Sequence, residues 1–165
     1  MKIEPQKSPE RSQLGQFLKE MSVCMLTNIN EEETLVSRPM SPHHMCQEGH
    51  IWFLTSQYSN KVKQLSPINL AFMNESNATY LSLSGFGEVV LDRDLIENAW
   101  SVFAKPWFKE GVNSPELCLL KFTTNIADYW DAPHCKMVRL MAIAASIVAA
   151  KPVGLGEHGQ LKLHG

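Results

Sequence analysis

Four side chains between residues 38 and 61 are of the types that hold a phosphoryl group. Arg38 lies in the run SRPM at 37–40, and Thr55, Ser59 and Lys61 lie in IWFLTSQYSNK at 51–61. Arginine supplies a planar fork of donors, lysine a compact charge, and threonine and serine one hydroxyl each. A helix opening at Ser59 would add backbone N–H groups that have no partner of their own. That set suits a phosphate dianion. Each residue also has a plainer reading: a lone Arg or Lys is a solvated surface charge, Thr55 ends a strand, and Ser59 caps a helix. Taken together at these offsets they favour phosphate contact, and so a phosphorylated cofactor.

For the four to meet, the chain around them must fold back on itself, and its patterning does that. Ser8-Pro9 is a helix start, with the hydroxyl as cap and proline in the first turn. Leu14, Phe17, Leu18 and Met21 follow at helical spacing, which predicts a helix to about residue 22. Runs at 23–28 and 34–42 flank the turn NINEEE and predict a hairpin, with Pro39 marking an edge or a bulge. A strand over 51–55 leads into a short helix over SQYSNKVKQL that Pro67 stops. Further strands are expected at 69–74 and 80–91, the second bent at Gly85 and Gly87. Asp92 caps a helix carrying Leu95, Ile96, Ala99, Trp100 and Phe103. Strands at 116–125 and 127–130, or one bent strand, precede a helix at 137–150, and residues 1–10 and 151–165 read as tails. Short strands at close spacing with few helices between them predict an antiparallel barrel.

Composition narrows the function. The chain has 165 residues, 44% of them apolar, so it forms one domain with a sizeable core. Fifteen basic residues against 17 acidic give a formal net charge of -2, with no basic block, which argues against nucleic-acid binding. Four dispersed cysteines form no CxxC, the N-terminus has no apolar signal core, and the apolar run at 137–153 is broken by Arg139 and Lys151. A reduced, soluble, cytoplasmic protein with no membrane segment is expected. His43, His44, Cys46, His134 and Cys135 match no known ligand spacing, so no metal site is expected. Met21, Met40 and Met45 read as core filling.

The runs CMLT at 24–27, SRPM at 37–40, IWFLTSQYSNKV at 51–62, YLSLSGFGEVVLDR at 80–93 and ADYWD at 127–131 together resemble the general stress proteins of the pyridoxamine-phosphate-oxidase-like group. The likeness runs in order across residues 14–163. It implies a mainly β fold, a six-stranded antiparallel split barrel with N-terminal and C-terminal helices. It also implies a homodimer with FMN in a groove between subunits. By position, Arg38, Pro39 and Met40 match the strand that passes phosphate and ring, and Leu54 and Thr55 the next strand end. Ser59, Asn60 and Lys61 match the start of the phosphate-holding helix. Tyr80, from the partner subunit, matches a polar residue against the ring or ribityl chain, and Trp130 an aromatic near the ring. Two departures stand out. The true oxidases usually carry a basic residue at the position of Asn60. They also end in an Arg- and His-bearing segment that holds pyridoxal phosphate, where this chain has DAPHCKMVRL. Flavin binding is therefore implied and pyridoxamine-phosphate oxidation is not.

The resulting expectation is a flavin-dependent oxidoreductase in which FMN carries the redox chemistry, with no catalytic residue assigned. A nicotinamide donor or another small redox substrate would meet the open ring face. The alternatives are a flavin-buffering or sensing stress protein without turnover, or the same fold holding FAD, deazaflavin or haem.

Overall fold

The computed structural model describes residues 1–131 and 157–163. The helix expected at 137–150 lies outside the described residues, as do His134 and Cys135. In chain order the elements are β1 (Lys2–Ile3), α1 (Pro9–Leu18), β2 (Cys24–Ile29), β3 (Leu35–Met40), β4 (His44–Met45), β5 (Ile51–Ser56), β6 (Ile68–Asn74), β7 (Thr79–Val90), α2 (Arg93–Ala99), β8 (Leu117–Asp131) and β9 (Glu157–Lys162). Single 3-10 turns occur at Asn60–Val62, Val102–Ala104 and Gly111–Asn113.

Local chemistry explains where the helices begin. Ser8 Oγ accepts from the Arg11 amide at 3.3 Å, and Pro9 stands in the first turn of α1. Asp92 Oδ1 accepts from the Leu95 amide at 3.1 Å and opens α2. Both helices stop earlier than the spacing predicts. α1 ends at Leu18, and a turn in which the Met21 amide donates to the Leu18 carbonyl tucks Met21 into the core. α2 ends at Ala99, leaving Trp100 as its C-cap, edge-on to Phe108 with ring centroids 6.4 Å apart. The helix expected over 56–65 shrinks to the one 3-10 turn Asn60–Val62.

The body of the fold is six long strands in the order β5-β8-β7-β6-β2-β3, every neighbouring pair antiparallel. β3 ends this path, so Pro39, which has no N–H to donate, sits on an edge strand. The sheet therefore curls without closing: the chain is a mainly β split barrel. Among the described residues it carries nine strands rather than the six expected. β1 pairs with β4 in parallel, so residues Lys2–Ile3 belong to the sheet rather than to a loose tail, and β9 extends the sheet along β8. The 80–91 and 116–130 runs become one long ladder, β7 with β8, whose register shifts between Ser84 and Gly85. A side chain at Gly85 would overlap the carbonyl oxygen of Thr123. Glycine there lets the two backbones cross closely where the wall bends.

The strand alternation points one face inward. Leu26, Phe53, Leu70, Leu83, Leu120 and Phe122, all at most 2% exposed, fill the barrel together with Leu14 and Leu18 of α1. A second cluster forms behind the start of β8, where Ile96 and Ala99 of α2 meet Phe108, Leu117 and Leu119. No helix among the described residues is long and apolar enough to cross a membrane.

Gly85→Ala is expected to destabilise the fold by about 2 kcal/mol or more, the scale of core overpacking, because the clash is with backbone that no rotamer can move. Urea unfolding checks this; an unchanged midpoint would show that the bend tolerates a methyl group.

Candidate phosphate-binding site

Arg38 lies on β3 opposite Leu26 and shares a face with Met40. Lys61 lies on the 3-10 turn after β5. Burial lowers the Lys61 ammonium below its ordinary range, and the Arg38 guanidinium pushes it further the same way. The two cations are thus close enough to repel. Burial pushes the Cys118 thiol up to about 11, with Lys61 pulling in the opposite direction. Cys118 is the register partner of Thr55, so those two side chains share a face of the β5–β8 ladder. The structure therefore brings Arg38, Lys61 and Thr55 into one neighbourhood on three separate elements. Ser59 stands at the N-cap position of the turn that carries Lys61.

Two hydroxyls here have no hydrogen-bond partner among the described residues. Thr55 is 3% exposed, and its Oγ1 is buried without a hydrogen-bond partner among the described residues. Ser59 has the backbone of an N-cap, φ -74 and ψ 143, yet its side chain makes no capping bond and its Oγ is also buried and unpartnered. Buried polar groups left unpaired cost free energy, so such groups are few and ask for a reason. Neither Arg38 nor Lys61 forms an ion pair with the described residues, where the three ion pairs present use Lys7, Lys63 and Lys121. Two cations and two orphaned hydroxyls all lack the same thing, an anion with several acceptor oxygens. A phosphate dianion fits. The helix-start contribution expected from the sequence falls away, since one 3-10 turn has no aligned dipole of consequence.

The backbone around the site is braced. Ser56 Oγ donates to Glu116 Oε2 at 2.8 Å and accepts from the Tyr58 amide at 3.2 Å, while the Gln57 amide donates to the Glu116 carbonyl at 2.8 Å. On the other side, Lys63 Nζ pairs with Glu31 Oε1 at 3.0 Å. Between the two cation-bearing segments lies Asn28 of β2, 2% exposed. Its Oδ1 accepts from Arg38 Nη1 at 2.9 Å, and its Nδ2 donates to the Gln64 carbonyl at 2.8 Å. The sequence reading passed over Asn28. Its signal was an amide at a position that the alternation Cys24, Leu26, Asn28 reserves for the core.

The remaining expected residues are placed as follows. Met40 is 9% exposed at the end of β3, and Pro39 points to the other face, opposite Met25. The Leu54 side chain turns away from Thr55 into the cluster beneath α2. Asn60 is exposed and lines a recess of about 150 Å3 with Asn30, Glu31, Glu32, Lys63 and Gln64. A larger cleft of about 530 Å3 lies elsewhere, between the N-terminal strand and α1, and none of these residues line it. Tyr80 and Trp130 are register partners on the outward face of β7 and β8, 43% and 44% exposed, and Trp130 stacks on His158 of β9 at 4.9 Å. Trp130 stands twelve residues beyond Cys118 on β8, a path of up to ~40 Å at the rise of a strand. Within one chain, then, Tyr80 and Trp130 belong to a different part of the surface from Arg38 and Lys61.

The Lys61 proton gives a test. The folded state holds this ammonium below its unfolded value, so the unfolded chain binds the proton more tightly. The resulting penalty is present at pH 7 and eases as pH rises toward 10.5, the ordinary lysine value. Lys61→Met is therefore expected to raise the melting temperature of the ligand-free protein at pH 7, with the gap narrowing near pH 10. A lower melting temperature at pH 7 would contradict the strained cation pair.

Comparison with known proteins agrees with this fold. The chain is 26% identical to a crystal structure described as a general stress protein 26 from Jannaschia sp. CCS1, with a TM-score of 0.70 over 89% of this chain and 94% of that one. It is 24% identical to the general stress FMN/FAD binding protein of Xanthomonas citri, with a TM-score of 0.62 over 73% of this chain and 87% of that one. Protein bli-3 of Neurospora crassa is 24% identical over 116 residues, 64% of this chain. The chain spans 56% of the length of that relative. The model of the pyridoxamine 5'-phosphate oxidase like family matches residues 9–153, most of the chain, and the protein belongs to that family.

Proposed function

We propose that this protein binds FMN through its terminal phosphate at the Arg38–Lys61 site and acts as a flavin-dependent oxidoreductase on a small molecule, with a nicotinamide as electron donor. The observation that carries the reading is the pair of buried hydroxyls, Thr55 Oγ1 and Ser59 Oγ, which have no hydrogen-bond partner among the described residues. With them go the two cations, Arg38 and Lys61, which form no ion pair among those residues, Arg38 bonding the neutral Asn28. Arg38 would meet the phosphate with its planar fork and Lys61 with a point charge, and the hydroxyls would donate to the remaining oxygens. Met40, on the same face as Arg38, would flank the ring. FMN, when bound, supplies two-electron redox chemistry; the protein supplies binding, orientation and electrostatics. Binding a phosphorylated flavin is also what the Xanthomonas citri relative is described as doing.

FMN is favoured over FAD by what lies along β3. Met40 is on one side of Arg38 and the hairpin turn with Glu31, Glu32 and Glu33 on the other, so a group extending past the phosphate would run toward three carboxylates and the Lys63–Glu31 pair. The recess there, about 150 Å3, is small beside ordinary ligand pockets.

The outward position of Tyr80 and Trp130 supports a homodimer. Met73, Tyr80 and Trp130 form a register row across β6, β7 and β8, each more than 40% exposed, and Met25 and Val23 add to the same exposed apolar surface. An apolar patch of this kind asks for a partner, and a two-fold copy would bring the aromatic residues of one subunit to the phosphate site of the other.

The double variant Arg38→Ala, Lys61→Ala is expected to lower FMN affinity at least about a hundredfold, each charge-assisted contact being worth about 1.5–3 kcal/mol. Isothermal titration measures it, and unchanged affinity would remove the phosphate assignment. FMN is expected to bind more tightly than FAD in the same assay. Sedimentation is expected to give a dimer that Trp130→Glu dissociates with loss of flavin; a monomer that keeps FMN tightly bound would rule out a shared site. FMN-loaded protein that does not oxidise a nicotinamide would point to flavin buffering instead of turnover.

A further inference from the structure

Asn28 is a polar side chain on the face of β2 that Cys24 and Leu26 give to the apolar core. Amides in such places persist when both ends are bonded, and both ends of Asn28 are. What it bonds is informative. One end holds the guanidinium of Arg38 on β3, and the other holds the backbone at Gln64, three residues after Lys61. The β2–β3 ladder sets Arg38 opposite Leu26 and Val36 opposite Asn28, so Arg38 reaches Asn28 diagonally on one face. Nothing in that ladder by itself ties Arg38 to the turn bearing Lys61. Left to themselves, two cations that repel would move apart, the long arginine side chain swinging toward water at little cost.

We infer that Asn28 is a positioning residue for the phosphate site: it clamps Arg38 against the segment that carries Lys61, so that both cations converge on one anion before the anion arrives. This rests on the phosphate reading proposed above and deepens it. One N–H of the guanidinium is committed to Asn28, which fixes the plane of the fork and leaves its other donors for ligand. Such pre-organisation raises affinity because the ordering has already taken place in the free protein.

The test compares FMN with riboflavin, the same ring without phosphate, by quenching of flavin fluorescence on titration with the full chain. Two variants are used, each first checked for cooperative thermal unfolding. Asn28→Leu removes both bonds. Asn28→Asp keeps an acceptor for Arg38 but loses the donor to Gln64 and sets a negative charge beside the guanidinium. Both are expected to weaken FMN by about 10- to 100-fold, the scale of one hydrogen bond to a charged group. Riboflavin affinity should stay within about twofold in both. A merely structural role would weaken the two flavins alike, and that result would overturn the inference, as would an unchanged FMN affinity. If Asn28→Leu does not fold, Asn28→Asp decides. The two levels separate cleanly. A parent protein that binds FMN no better than riboflavin defeats the phosphate reading itself. An FMN preference that Arg38→Ala abolishes and the Asn28 variants leave intact defeats only the role of Asn28.

Discussion

The architecture depends on one strand. β8 runs for fifteen residues and pairs with β7 along most of its length, with β5 near its start and with β9 near its end. A strand that long cannot follow a curled wall without a break in register, and the break falls at Gly85, where absence of a side chain lets the Thr123 carbonyl pass. The consequence is a division of labour along one strand. Its first turns of pleat carry Cys118, place Thr55 and so anchor the phosphate neighbourhood. Its last residues carry Trp130 outward. Given the distance between the two ends, Trp130 would reach the proposed flavin site only from a second copy.

At the start of β8 the protein keeps an arrangement that is unfavourable when empty. Arg38 and Lys61 repel each other, Lys61 is partly desolvated, and two hydroxyls are buried without partners among the described residues. An apolar side chain at any of these positions would be the better choice for stability alone. Strained polar clusters of this sort are where proteins set aside stability for function, and a bound dianion would satisfy every one of the groups at once. Asn28 and the Ser56–Glu116 bracing keep the cluster from relaxing.

Much of this was legible from local chemistry. Ser8-Pro9 and Asp92 cap the helices they were expected to cap, because a side-chain oxygen and the amide it accepts from are neighbours in sequence. Pro39 marked an edge or a bulge, and β3 forms the edge. Helix ends were misjudged because burial, not helicity, is what the spacing of Met21 encodes, and a turn delivers that burial as well as another helical turn would. The glycine-rich tail showed no strand signal of its own. β9 forms because β5 stops pairing with β8 at Ile51–Phe122, and the far half of β8 offers its backbone to another strand.

The sequence by itself determined the inventory: a barrel-sized set of alternating strands, two capped helices, and Arg, Lys, Thr and Ser residues fit for a phosphate. Tertiary structure alone decided which of them meet. Arg38 and Lys61 lie on elements with no shared ladder, Asn28 joins them through bonds that span ten and 36 positions of sequence, and Tyr80 and Trp130 end up facing outward at the other end of the sheet. Such convergence depends on how far the sheet curls and on which strand ends come into register. Those are properties of the whole wall, which no single segment of the chain encodes.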